Sequence, residues 1–138
     1  MAMKLSFRGK EYSRRLTVGA LIAIQEEGID LEDISSPEQA ASLVKNILSI
    51  SGIATIAYAV FKRDLEHVTK DEFVDELTPE QVADLREQLI TELVVFFKVA
   101  GRPDISAIMS TIQNVQHELE ESLTEIETQS QQASQEAS

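Results

Sequence analysis

The stretch Asn46 to Phe61, NILSISGIATIAYAVF, carries no charge, while Lys45 stands before it and Lys62, Arg63 and Asp64 follow. Its apolar residues, among them Ile47, Leu48, Ile50, Ile53, Ile56, Tyr58, Val60 and Phe61, fall on almost every side of a helical wheel. A helix that is apolar all round is buried, in a protein core or in lipid. Sixteen residues at about 1.5 Å each reach roughly 24 Å, short of the ~30 Å hydrocarbon core of a bilayer. Ser49, Ser51, Gly52 and Thr55 also dilute its hydrophobicity. The stretch reads as the central helix of a small all-helical domain. A strand over Ile53 to Phe61 is the alternative, but no turn signals flank so short a piece. Ser36-Pro37-Glu38-Gln39 marks the start of the helix with an N-cap serine, a proline at the first helical position and a capping-box glutamine. Gly52, in mid-helix, is expected either to bend it or to let a neighbour pack close.

Around this centre, 138 residues suffice for one domain with a real core, plus a tail. There is no cysteine, hence no disulfide frame, cysteine zinc site or thiol nucleophile. The opening residues MAMKLSFRGK lack the apolar core of a signal peptide, so export is not expected. Twenty-four acidic against 12 basic residues give a net charge of −12, which argues against nucleic acid as a partner. The charge is also polarised. The first sixteen residues hold five cations and one carboxylate, whereas seven carboxylates and no Lys or Arg follow Arg102. Two solvated surfaces of opposite sign explain this, as does head-to-tail attraction between copies of the chain.

Towards the N-terminus, Leu5, Phe7, Tyr12, Arg14 and Leu16 alternate with polar residues, predicting a β-hairpin that turns near Gly9. Thr17 then caps a helix whose inner face is Val18, Leu21 and Ile22 with Gln25, stopping at Gly28. Ile29, Leu31 and Ile34 make a loop that buries its aliphatics. Beyond Arg63, Thr69-Lys70-Asp71-Glu72 opens a short helix through Leu77. Thr78-Pro79-Glu80-Gln81 opens another from Pro79 to about Val99, with Val82, Leu85, Leu89, Leu93 and Phe96 on one face. Gly101-Arg102-Pro103 ends it.

The last third differs. Ile105, Ile108, Ile112, Val115, Leu119 and Ile126 keep a spacing of three and four, with Ser122 at one seam position and Leu123 beside it, on an acidic, otherwise polar helix. From Thr128 only Thr, Gln, Ser, Ala and Glu occur, and disorder is expected. The division is therefore a helical domain over 1–102, an acidic amphipathic helix over 103–127 and a tail over 128–138. The stripe either docks on its own domain or binds a partner helix. Beside it, Val94, Val95, Phe96, Phe97 and Val99 make the end of the preceding helix apolar on most sides. Phe96, Phe97, Ile105, Ile108, Ile112, Val115 and Leu119 are the candidate partner-binding residues.

No catalytic constellation stands out. His67 near Asp64 and Asp71 is a weak donor set for a metal, and His117 with Glu121 is an ordinary helical pair. No calcium-hand loop, phosphate-binding glycine loop or G-x-S-x-G elbow occurs, so neither cofactor nor enzymatic activity is expected.

The order of pieces nevertheless resembles a known family. The basic hairpin closes with Tyr12-Ser13-Arg14-Arg15-Leu16. Thr17-Val18-Gly19-Ala20-Leu21 leads into Glu26-Glu27-Gly28-Ile29-Asp30-Leu31, and Lys70-Asp71-Glu72-Phe73 and Thr78-Pro79-Glu80-Gln81 come later. Together, over Lys4 to Arg102, these resemble the tail assembly chaperones of long-tailed bacteriophages, prophages and gene transfer particles. The resemblance implies a small non-enzymatic helical protein of the host cytoplasm, absent from the finished virion. It would coat the tape measure protein and help recruit tail tube subunits, and some members also exist in a frameshifted longer form. The alternative is a phage or prophage structural or adaptor protein acting through helix-mediated contacts. A tail-tube subunit is a poorer match because nearly everything after Thr17 reads helical.

Overall fold

In the computed structural model, which describes residues 2–118, the chain forms strands β1 (Met3–Phe7) and β2 (Lys10–Arg14), then helices α1 (Val18–Glu26), α2 (Pro37–Leu48), α3 (Ile50–Phe61), α4 (Lys70–Glu76) and α5 (Pro79–Val99). A last helix, α6, occupies 103–118. The expected architecture is present: a mainly helical protein opened by an antiparallel hairpin, with an amphipathic helix after Arg102. The expected disordered tail lies outside the described residues.

One long helix beginning at Pro37 is not what forms. α2 and α3 are bent by 81° to one another at Ser49. Ser49 takes an extended conformation, φ −84° and ψ 148°, and serves both helices. Its N–H donates to the Lys45 carbonyl at 2.9 Å and closes α2. Its hydroxyl accepts the Gly52 N–H at 2.9 Å and opens α3. Arg86 of α5 reaches the freed end of α2, where Nε donates to the Ile47 carbonyl (3.3 Å) and Nη2 to that of Leu48 (3.1 Å). A Cβ at Gly52 would run into the Asn46 carbonyl oxygen and lie 2.8 Å from its carbon. Glycine thus lets the chain fold back on itself at the corner, so both expected roles of Gly52, bending and close approach, belong to one feature.

The bend places α3 in the middle, packed against α1, α2, α4, α5 and β2. Ile53, Ile56 and Phe61 are essentially inaccessible, as the all-round apolar wheel predicts. No single helix among the described residues is long and apolar enough to cross a membrane.

The hairpin turns through Arg8 and Gly9, whose φ values of 51° and 77° suit the tight two-residue loop of twisted strands. Leu5 pairs with Tyr12 and Phe7 with Lys10, so Met3, Leu5 and Phe7 all face the core. The outer edge of β1 is covered by α5. Gln88 accepts the Lys4 N–H (2.6 Å) and donates to the Lys4 carbonyl (3.1 Å), while Gln81 donates to the Ser6 carbonyl (2.6 Å).

Two helix faces differ from expectation. In α1 the buried residues are Leu21 and Ile24, while Val18 and Ile22 face out, half or more exposed. Val18 and Ile22 share an i,i+4 row turned away from the buried pair. In α5 the buried row ends on Phe97 rather than Phe96. Phe96 is half-buried and packs edge-on against Phe97, ring centres 5.3 Å apart. α5 then closes through an Arg102 N–H to Phe97 carbonyl bond of 2.7 Å, and Pro103 opens α6.

Arg8 ties the hairpin to α4 with a two-pronged bond to Glu76 (2.5 and 2.9 Å) and a third to Glu72 (3.1 Å). Arg14 likewise grips Asp64 at 2.6 Å. Hydrogen bonding to Glu76 pushes the Arg8 guanidinium up, and the same bond holds the Glu76 carboxyl below its ordinary value. A depressed carboxyl stabilises the fold above its unfolded value and loses that contribution as pH falls through the folded one.

Gly52→Ala should cost about 1–3 kcal/mol by overpacking, read in a thermal melt as a loss of roughly 5–15 °C. Gly19→Ala, at a helical site where an added Cβ meets only the Thr17 hydroxyl at 3.7 Å, should leave Tm unchanged or raise it. Ile56→Asp should abolish the cooperative melt, since a buried unpaired carboxylate costs on the order of several kcal/mol. In a pH series, the Tm gap between the wild type and Arg8→Gln should be widest above about pH 5 and shrink towards about pH 3.

Candidate protein-docking surface

α5 and α6 lie side by side and run in opposite directions. Ser106, itself buried, donates to the Val94 carbonyl at 2.7 Å, and Gln113 donates to the Thr91 hydroxyl at 3.1 Å. Over the described residues, the stripe of the last third packs on its own domain. Ile105 and Met109 are inaccessible, Ile112 is 6% exposed, and all three join the core cluster with Phe97. Phe97 and Ile105 are therefore corrected from candidate partner contacts to core residues, because that side of the apolar surface of α6 is buried against α5, while Ile112 belongs to the core and also lines the groove described next. Phe96 and Ile108 are half-buried against the same cluster. Val115 remains 47% exposed, and Leu119 lies outside the described residues.

What remains open is a groove between α6 and α2 of about 420 Å³. Ile108, Ile112 and Val115 form one wall and Val44 and Leu48 the other, and Ala107, Thr111 and Gln116 complete the lining from α6. Leu48 is 44% exposed although it belongs to the uncharged stretch expected to be buried throughout. The bend at Ser49 is the cause, since it turns the last residues of α2 away from the surroundings of α3. Ile50, on the outside of the same corner, is 67% exposed. Reading the sequence as one helix missed Val44 and Leu48. The signal for them is the row Leu43, Val44, Ile47 and Leu48 ending directly before a capping serine.

Among the described residues no three His, Cys, Asp or Glu side chains come together as a metal-binding group, and Asp64 is engaged by Arg14. A polar cleft between α5 and α6 is lined by Arg86, Glu87, Gln113 and His117, among others. No buried side-chain nitrogen or oxygen among the described residues lacks a hydrogen-bond partner. The groove's apolar walls suit helix-in-groove recognition, in which residues spaced at three and four insert along one face. Ala107 to Val115 spans about 12 Å, roughly two turns of a bound helix.

The chain matches no protein-family model, no curated protein and no solved structure.

Proposed function

We propose that this protein is a tail assembly chaperone that holds an amphipathic helical segment of a tape measure protein in the groove between α2 and α6. The observation that carries the reading is the groove itself, an apolar channel bounded by Val44, Leu48, Ile108, Ile112 and Val115 on an otherwise acidic protein. A long, apolar, helical client needs cover until it is packed, and burial at about 25 cal/mol per Å² supplies the attraction. Individual grooves of this size hold weakly, because association costs offset much of that gain. Many copies along one client are what the reading requires. The order of motifs from Tyr12 to Gln81, which resembles that of the family, supports it independently of the groove. On this reading the protein is not an enzyme and needs no cofactor. It acts in the host cytoplasm, helps recruit tail tube subunits and is absent from the mature virion.

Co-expression with the tape measure protein tests the proposal, scored by how much of that protein stays soluble. Leu48→Glu together with Val115→Glu should abolish the rescue while leaving the melt of the chaperone nearly unchanged, since both side chains are exposed. Val99→Glu, 83% exposed but outside the groove, should rescue as well as wild type. A wild-type protein that never keeps the tape measure soluble, or a groove variant that rescues fully, would overturn the reading. Ile112→Glu is unsuitable for this test because it would unsettle the core.

A further inference from the structure

A second cleft, of about 590 Å³, opens where the end of the hairpin meets α1 and the end of α3. Four cations line it, Arg14, Arg15, Lys62 and Arg63, against the carboxylates of Glu26 and Glu66. Arg14 is held by Asp64, and the Lys62 amine lies 6.0 Å from the Tyr58 ring centre. Arg15 and Arg63 are exposed and form no ion pair among the described residues. Ile22, half exposed, and Ala23 and Ala59 add an aliphatic floor. In a chain of net charge −12, this cleft fits a ligand that is acidic and partly aliphatic.

The chain itself carries such a ligand. From Glu118 to Ser138 it has six glutamates and no Lys or Arg, with Leu119, Leu123 and Ile126 interleaved. The segment starts away from the cleft. Glu118 lines a cleft with Ala83 and Arg86, and Arg86 binds the Ile47 and Leu48 carbonyls just before α3 begins. Lys62 and Arg63 follow the far end of α3, about 18 Å away along twelve residues. The acidic segment thus leaves from one pole of the molecule while the cationic cleft sits at the other.

We infer that the cleft of Arg14, Arg15, Lys62 and Arg63 receives the acidic segment beyond Glu118 of a second copy, joining chains head to tail. Such a contact is heterologous, so each copy offers its cleft to one neighbour and its segment to another, and the association is open-ended. The inference involves neither the α2–α6 groove nor the nature of any client.

Sedimentation velocity of the full chain over a range of concentrations tests it. Wild type should self-associate in about 0.05 M NaCl, and its apparent Kd should rise at least about tenfold in about 0.5 M NaCl as screening shortens. A cleft variant, Arg15→Glu with Arg63→Glu, and a segment variant, Glu120→Gln, Glu121→Gln, Glu125→Gln and Glu127→Gln, should each melt as wild type does yet stay monomeric. Mixed in equal amounts they should form a one-to-one dimer that grows no further, because each supplies only one intact surface. The inference falls if wild type is monomeric at every concentration, as it would be were the segment to dock on its own body. It falls equally if either variant associates as wild type does, or if the mixture remains monomeric.

Discussion

Everything else in the molecule depends on the corner between α2 and α3, where two helices share one serine and a glycine faces the carbonyl of Asn46. Helix ends ordinarily leave several backbone groups without partners, and burying such an end is costly. Here Ser49 and Arg86 take up those groups, the first from within the corner and the second from a helix thirty-nine residues further along. The corner lets an uncharged stretch serve two purposes. Its second half becomes the buried axis of the domain, and the end of its first half becomes one wall of an open groove. A straight helix would have buried or exposed both.

The same economy governs α6. Its aliphatic row is wider than α5 alone can cover, so Ile105, Met109 and Ile112 enter the core while Ile108 and Val115 line the groove. Residues on neighbouring helical rows separate in this way because successive side chains at three and four drift around the axis. A helix of this kind is part of its own core and part of an open groove at once. Core and groove then share a residue, for Ile112 belongs to both.

Much of this fold was legible from short signals. Thr17, Ser36, Thr69 and Thr78 each cap the helix expected of them, because a side-chain oxygen three residues ahead of a free N–H is a local arrangement. The hairpin and its turn follow from alternation around Arg8 and Gly9 in the same way. The break at Ser49 was harder, since its signal, a serine before Gly52, competes with an unbroken apolar run on either side. Which of Phe96 and Phe97 enters the core was not legible either. Both lie within reach of the Leu89–Leu93 row, and the choice depends on where α6 packs, a long-range fact. The groove inherits both difficulties, for it exists only once the corner and the α5–α6 pairing are in place. Arg8 and Arg14, read first as a basic end of the chain, turn out to have carboxylate partners sixty-odd and fifty residues away.

The glutamines of α5 that bind β1 have a consequence for how the protein keeps its own company. A two-stranded ribbon offers unpaired peptide groups along each margin, and such margins recruit strands from other chains. Gln81 and Gln88 occupy the margin of β1 with side-chain amides, which mimic the peptide group of an adjoining strand. The opposite margin belongs to β2, Lys-Glu-Tyr-Ser-Arg, whose charges at Lys10, Glu11 and Arg14 disfavour a flat apolar neighbour. Side-chain amides along one margin and charges along the other make the hairpin a poor template for added strands.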